Sequence, residues 1–145
     1  MSGKKTSIIN DDGVSKDFTF DYSFWSHDGY IEEDNGYLKR NPGHSGTKYD
    51  DQEVVYNELG LEVLDNAWNG YHCCLFAYGQ TGAGKSYSMI GYGENRGIVP
   101  LATEEIFRRI DSNDDSSKAY EVSAQMVEIY NERVQDLLID PSKRP

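Results

Sequence analysis

The chain is short of basic residues, cysteines and long apolar runs. It carries 14 lysines and arginines against 25 aspartates and glutamates, a formal net charge of −11. That balance disfavours polyanions, so neither a nucleic acid nor an anionic membrane is expected as a partner of this stretch. No apolar run approaches the roughly 20 residues of a membrane span, and the N-terminus has no signal-peptide core. The two cysteines, Cys73 and Cys74, are adjacent in a run that reads as a buried strand, where neighbouring side chains point to opposite faces. They read as reduced core residues without a metal or redox role, and a cytosolic setting follows. Hydrophobic residues make up only 37%, low for a self-sufficient domain, although 145 residues fit one domain.

What is present alternates between helical and strand periods. A short strand is expected around residues 7–9, and residues 18–22 alternate aromatic and polar positions as a half-buried strand does. Residues 28–49 are polar and broken by glycines and Pro42, which reads as a long, mobile, structureless loop. A helix follows, with Asp50 and Glu53 resembling a capping box and Gly70 placed as a stop. Tyr56, Leu59, Val63, Leu64, Ala67 and Trp68 would share its packed face. Residues 71–78 form an apolar, aromatic run of strand length. Later, residues 92–97 interrupt a helix that resumes near Pro100, residues 113–118 are a polar turn, and residues 120–126 alternate as another strand, which Val127 and Ile129 extend with the phase changed. Helices and strands in this order indicate an α/β sheet flanked by helices.

Between the run at 71–78 and the next helix lie Gly79, Gln80, Thr81, Gly82, Ala83, Gly84, Lys85 and Ser86. These match the phosphate-loop pattern G-x-x-x-x-G-K-[ST] at every fixed position. Such a turn points backbone N–H groups inward, the helix start favours negative charge, and the lysine reaches the outer phosphates. Ser86 would offer its hydroxyl to Mg²⁺. A nucleoside triphosphate is the implied ligand.

Four stretches, in order, resemble the kinesin motor domain: Phe20-Asp-Tyr-Ser-Phe-Trp-Ser-His27, residues 76–89 around the phosphate loop, Gly97-Ile-Val-Pro100, and Glu128-Ile-Tyr-Asn-Glu-Arg-Val-Gln-Asp-Leu-Leu138. The aromatic Tyr-Ser-Phe-Trp-Ser-His stretch is most similar to class three, the vesicle-transport kinesins. The resemblance implies a partial phosphate-loop NTPase sheet, incomplete at both ends, with residues 28–49 as a flexible insertion in one partial motor domain spanning 1–145. It implies ATP and Mg²⁺ as ligands. It places Lys85 on the β and γ phosphates, Ser86 on Mg²⁺, and the Tyr87 ring against adenine, unless Tyr87 is simply a packed helix aromatic.

Residues 128–138 match a structural strand and turn and carry no chemistry. Family motor domains run to more than twice this length. The Arg-x-Arg-Pro segment that borders adenine in the family has no counterpart here. Nor does the second nucleotide-sensing switch, since no Asp-x-x-Gly occurs in the chain. Asn113-Asp-Asp-Ser-Ser-Lys118 resembles the first switch but comes too early in the family's order, so it reads as a solvated turn.

No catalytic residue is therefore assigned. The expectation is the ATP-binding part of a cytoplasmic, microtubule-associated motor that meets tubulin only through the complete motor. This stretch alone would bind ATP weakly and neither hydrolyse it nor move. The alternative is a short nucleotide-binding or partner-binding protein, derived from a kinesin, that does not hydrolyse ATP.

Overall fold

The computed structural model describes residues 4–46 and 48–143. Residues 1–3, Thr47 and residues 144–145, which the expected N-terminal segment and the 28–49 insertion touch, lie outside the described residues. Two compact units are present, Met1–Arg109 and Ile110–Pro145.

The first unit opens with an antiparallel hairpin of β1 (Lys5–Ile9) and β2 (Ser15–Thr19), Lys5 facing Thr19. The expected strand at 18–22 thus starts earlier. It is also solvated, because its aromatics have nothing to pack against: Phe18 and Phe20 are exposed. The chain then runs to Trp25, whose N–H donates to Asp50 Oδ2 at 2.9 Å while Asp50 N donates to the Trp25 carbonyl at 2.7 Å. These two bonds close a neck across residues 25 and 50.

The stretch beyond that neck is not the structureless loop the glycines suggest. It carries a hairpin of β3 (Tyr30–Glu32) and β4 (Leu38–Arg40) around a turn with Gly36 at φ 88°. Its Tyr30 ring lies 5.4 Å from Tyr49, which is buried.

The helix after the neck begins one residue later than the expected cap. Asp51, not Asp50, is the N-cap of α1 (Gln52–Val55), accepting from Val54 N at 3.0 Å; Asp50 is engaged by Trp25. A π-helical turn, Tyr56–Gly60, leads into α2 (Leu61–Trp68). A wider turn rotates the residues that follow it relative to an unbroken helix. As a result Tyr56, Gly60 and Leu64 are buried, while Trp68 is partly exposed. Gly60 belongs at the crossing with the later helix: a Cβ there would lie 2.7 Å from Tyr56 Cδ2 and 3.1 Å from Ile98 Cγ2. The chain leaves α2 through Gly70 at φ 91°, the left-handed stop that glycine supplies at least cost.

Residues 71–78, expected as a buried central strand, form no strand. A strand requires a hydrogen-bonded neighbour, and none of the described residues pairs with this run. Tyr71, Phe76 and Tyr78 are exposed, Tyr78 by 94%, and Cys73 and Cys74 are free but exposed rather than in a core. Beyond the phosphate loop come α3 (Lys85–Met89), a two-residue hairpin of β5 (Gly91–Tyr92) and β6 (Asn95–Arg96), and α4 (Ile98–Asp111). The interruption expected at 92–97 is this hairpin. Gly91 sits at φ 78°, and a Cβ would fall 1.9 Å from the Asn95 carbonyl oxygen; one on Gly97 would fall 2.6 Å from Ser88 O. Only glycine fits either place.

Arg109 on α4 ties the helices together. It bonds Asp65 at 2.5 Å and Glu105 at 2.8 Å, and its guanidinium stands 5.4 Å over the Trp68 ring. Glu105 also takes two bonds from Arg108, each 2.6 Å. First Arg108 and then Arg109 hold its carboxyl down to about 2.

In the second unit, residues 113–118 are a polar turn: Asp115 accepts from Ser117 N at 3.0 Å and pairs with Lys118 at 3.4 Å. Of the strand expected from Tyr120 through Ile129, the part at 120–126 is absent for the same reason as the first, while its end is present as β7 (Val127–Tyr130), paired with β8 (Arg133–Asp136). Among the described residues the strands thus form four separate antiparallel pairs rather than one sheet.

Candidate phosphate-binding site

The loop at 79–84 is turned by glycines at φ values that other residues rarely adopt: 152° at Gly79, 82° at Gly82 and 85° at Gly84. Gly84 is the left-handed N-cap of α3, and Ala83 N donates back to Gln80 O at 3.2 Å. Gln80, Thr81, Gly82, Ala83 and Gly84 are all exposed along it. Lys85 starts the helix and folds its side chain back over the loop, where Nζ donates to the carbonyl oxygens of Gly79 and Gln80, both at 2.8 Å. The ammonium is therefore held at the loop by neutral acceptors that an anion can replace. Ser86 follows directly, with its side chain exposed beside Lys85. An ammonium, a hydroxyl and a glycine-turned run of backbone N–H groups are the donor set that a magnesium-bound triphosphate requires, so these residues fit that ligand.

Tyr87, next to Ser86 on the same helix, is engaged on its other side as well. Its ring lies 6.1 Å from that of Tyr92, and its hydroxyl oxygen is buried without a hydrogen-bond partner. Tyr49 stands close enough that burial, followed by Tyr87 and Asp51, pushes its phenol above the usual range. The Tyr87 carbonyl accepts from Gln52 Nε2 at 2.5 Å. Sequence reasoning missed Gln52, and it missed Asn95, whose side chain accepts from Leu38 N and donates to Gly36 O, both at 2.8 Å. Both are buried polar side chains. The available signal was their type: a Gln at the first turn of a helix and an Asn in a two-residue hairpin.

The sequence pattern of the family described as kinesin motor domain matches residues 2–145. Kinesin-like protein KIF28 of Rattus norvegicus is 49% identical over 123 residues, 85% of this chain but 12% of that protein. Kinesin-related protein 1 of Dictyostelium discoideum is 50% identical over 126 residues, again 85% of this chain and 5% of the relative. The chain thus spans about an eighth or less of these relatives. Among solved structures, KIF14 residues 391–755 with ADP in complex with a microtubule is 36% identical, with a TM-score of 0.70 over 99% of this chain and 36% of that one. The path of the backbone is therefore similar to the corresponding part of a kinesin motor domain, a phosphate-loop NTPase fold, even where strand pairing is lacking.

Proposed function

The chain belongs to the kinesin motor-domain family, and from that premise we propose that it is the ATP-binding part of a motor that couples ATP hydrolysis to movement along microtubules. The observation that carries this reading is Lys85, clasped at 2.8 Å to two carbonyls of a glycine-turned loop. On nucleotide binding its ammonium exchanges those carbonyls for β and γ phosphate oxygens. The backbone N–H groups of residues 79–84 surround the phosphates, and the Ser86 hydroxyl holds Mg²⁺. Mg²⁺ held there would supply positive charge to offset that of the phosphates. Tyr87, which is not fully buried, would meet adenine with its ring.

Hydrolysis needs more than this cradle. It needs a positioned water and groups that sense the γ-phosphate, and the resemblance assigns those to switch motifs outside these residues. We therefore infer that this stretch binds ATP without turnover. Microtubule contact belongs to other parts of the motor, in keeping with the −11 charge here, and the whole protein acts in the cytoplasm on the cytoskeleton.

A titration with a fluorescent ATP analogue, with and without Mg²⁺, tests the site. Binding should saturate, depend on Mg²⁺, and weaken at least tenfold in Lys85→Ala, since a bond between a charged group and its ligand contributes about 1.5–3 kcal/mol. Equal affinity in the variant would sink the assignment. Phosphate release should stay at background with or without microtubules; stimulated release would overturn the claim that this stretch does not turn ATP over.

A further inference from the structure

We propose that Gln52 and Asn95 are positioning residues of the nucleotide site, through which the β3–β4 hairpin braces the helix that follows the phosphate loop. This rests on the ATP-binding reading above. Gln52 is 5% and Asn95 9% exposed, the two buried polar side chains among the described residues. Together they make an unbroken chain of bonds. Leu38 N donates to Asn95 Oδ1 and Asn95 Nδ2 donates to Gly36 O, both at 2.8 Å, so the side chain grips the hairpin on two backbone groups. Gln52 Nε2 then donates to Asn95 O at 3.2 Å and to Tyr87 O at 2.5 Å. Tyr87 is two residues beyond Lys85 on the same short helix.

Three features make this path stiff. Gly91 and Gly97 leave no room for a Cβ, which fixes β5 and β6 and hence the place of Asn95. Burial removes water as a substitute partner, so each broken bond would leave an unsatisfied group at a cost of about 1–3 kcal/mol. Tyr37, between the two gripped residues of the hairpin, adds a buried hydroxyl, and burial pushes its phenol up to about 12. A shift of Tyr87 as phosphates engage Lys85 and Ser86 therefore reaches Gly36 and Leu38. Coupling of this kind is reciprocal: docking the hairpin must favour nucleotide to the same extent that nucleotide favours docking.

The test combines amide hydrogen exchange at Leu38 with the affinity for a fluorescent Mg·ATP analogue. In the unaltered chain, saturating nucleotide should slow Leu38 exchange at least fivefold, the lower end of ordinary coupling. Asn95→Ala should abolish that slowing and weaken nucleotide about fivefold. Asn95→Asp, which keeps the acceptor for Leu38 N but sets a buried carboxylate oxygen against Gly36 O, should recover neither. Bound nucleotide that leaves Leu38 exchange unchanged in the unaltered chain overturns the brace and leaves the ATP reading standing. An unaltered chain that binds no nucleotide overturns both. Should Asn95→Ala fail to fold, the exchange measurement on the unaltered chain decides alone.

Discussion

Two neighbouring stretches of the first unit treat their apolar residues in opposite ways. Residues 49–64 bury Tyr49, Tyr56 and Leu64 to 8% exposure or less, while a few residues later Phe76 and Tyr78 stand 79% and 94% exposed. Apolar content does not explain this, for both are rich in aromatic and aliphatic side chains and only residues 49–64 carry acidic ones. Hydrogen-bonding geometry does. A helix satisfies its own backbone and needs only a face to pack, and α4 supplies that face through Ile98 and Arg109. A strand satisfies nothing alone, and the run at 71–78 finds no pairing partner among the described residues. Helical elements therefore form locally, whereas a strand waits on its partner.

The sharpest way to break this contrast is at the rigid hairpin beside the buried cluster. Gly91→Ala combines a left-handed backbone with overlap onto Asn95 O, and should cost about 3 kcal/mol or more of the first unit's stability. Urea unfolding followed by Trp25 and Trp68 fluorescence would show it; a variant with an unchanged midpoint would contradict the packing described. Next comes the direct comparison. Leu64→Ala should cost about 2–4 kcal/mol, as buried leucines do. Phe76→Ser should fall within about 0.5 kcal/mol, as exposed positions do, while lowering the tendency to aggregate. Equal losses in the two variants would mean that residues 71–78 are packed after all.

The smallest effect is on acid stability. Glu105 titrates at about 2, below the ordinary 4.5, because Arg108 and Arg109 bond its carboxylate. A group depressed in the folded state stabilises above its unfolded value and loses that contribution as pH falls through its folded one. The first unit should therefore weaken between about pH 4.5 and 2, and Glu105→Gln should lose part of that slope. Urea midpoints taken across this window, with identical slopes in both proteins, would discount the Arg108–Glu105–Arg109 network.

How much was legible in the sequence follows the same division. The glycine turn at 79–84, the helix ending before Gly70, the break at 92–97 and the turn at 113–118 are written in local chemistry, and each lies where the residues indicate. Pattern alone misplaced what depends on distant partners. The runs at 71–78 and 120–126 have strand composition but no strand pairing, and Cys73 and Cys74 shared that fate. The cap moved from Asp50 to Asp51 because Trp25, 25 residues upstream, claims the Asp50 carboxylate. The glycines of 28–49 suggested disorder, yet Gly36 serves a turn whose carbonyl Asn95 grips. Gln52 and Asn95 escaped notice because their importance lies in contacts 35 and 59 residues away in sequence.

The paired bonds between Trp25 and Asp50 have a consequence for how this part of the chain can change. They join the ends of the excursion at its base, so what lies within is a closed side branch. The entropy of closing such a branch grows only with the logarithm of its length, about 0.6 kcal/mol for each doubling. Residues added between Asp34 and Asn35 would therefore cost little closure entropy at the neck, yet they would fall beside Gly36 and Leu38, so the freedom of this branch ends where Asn95 grips its tip.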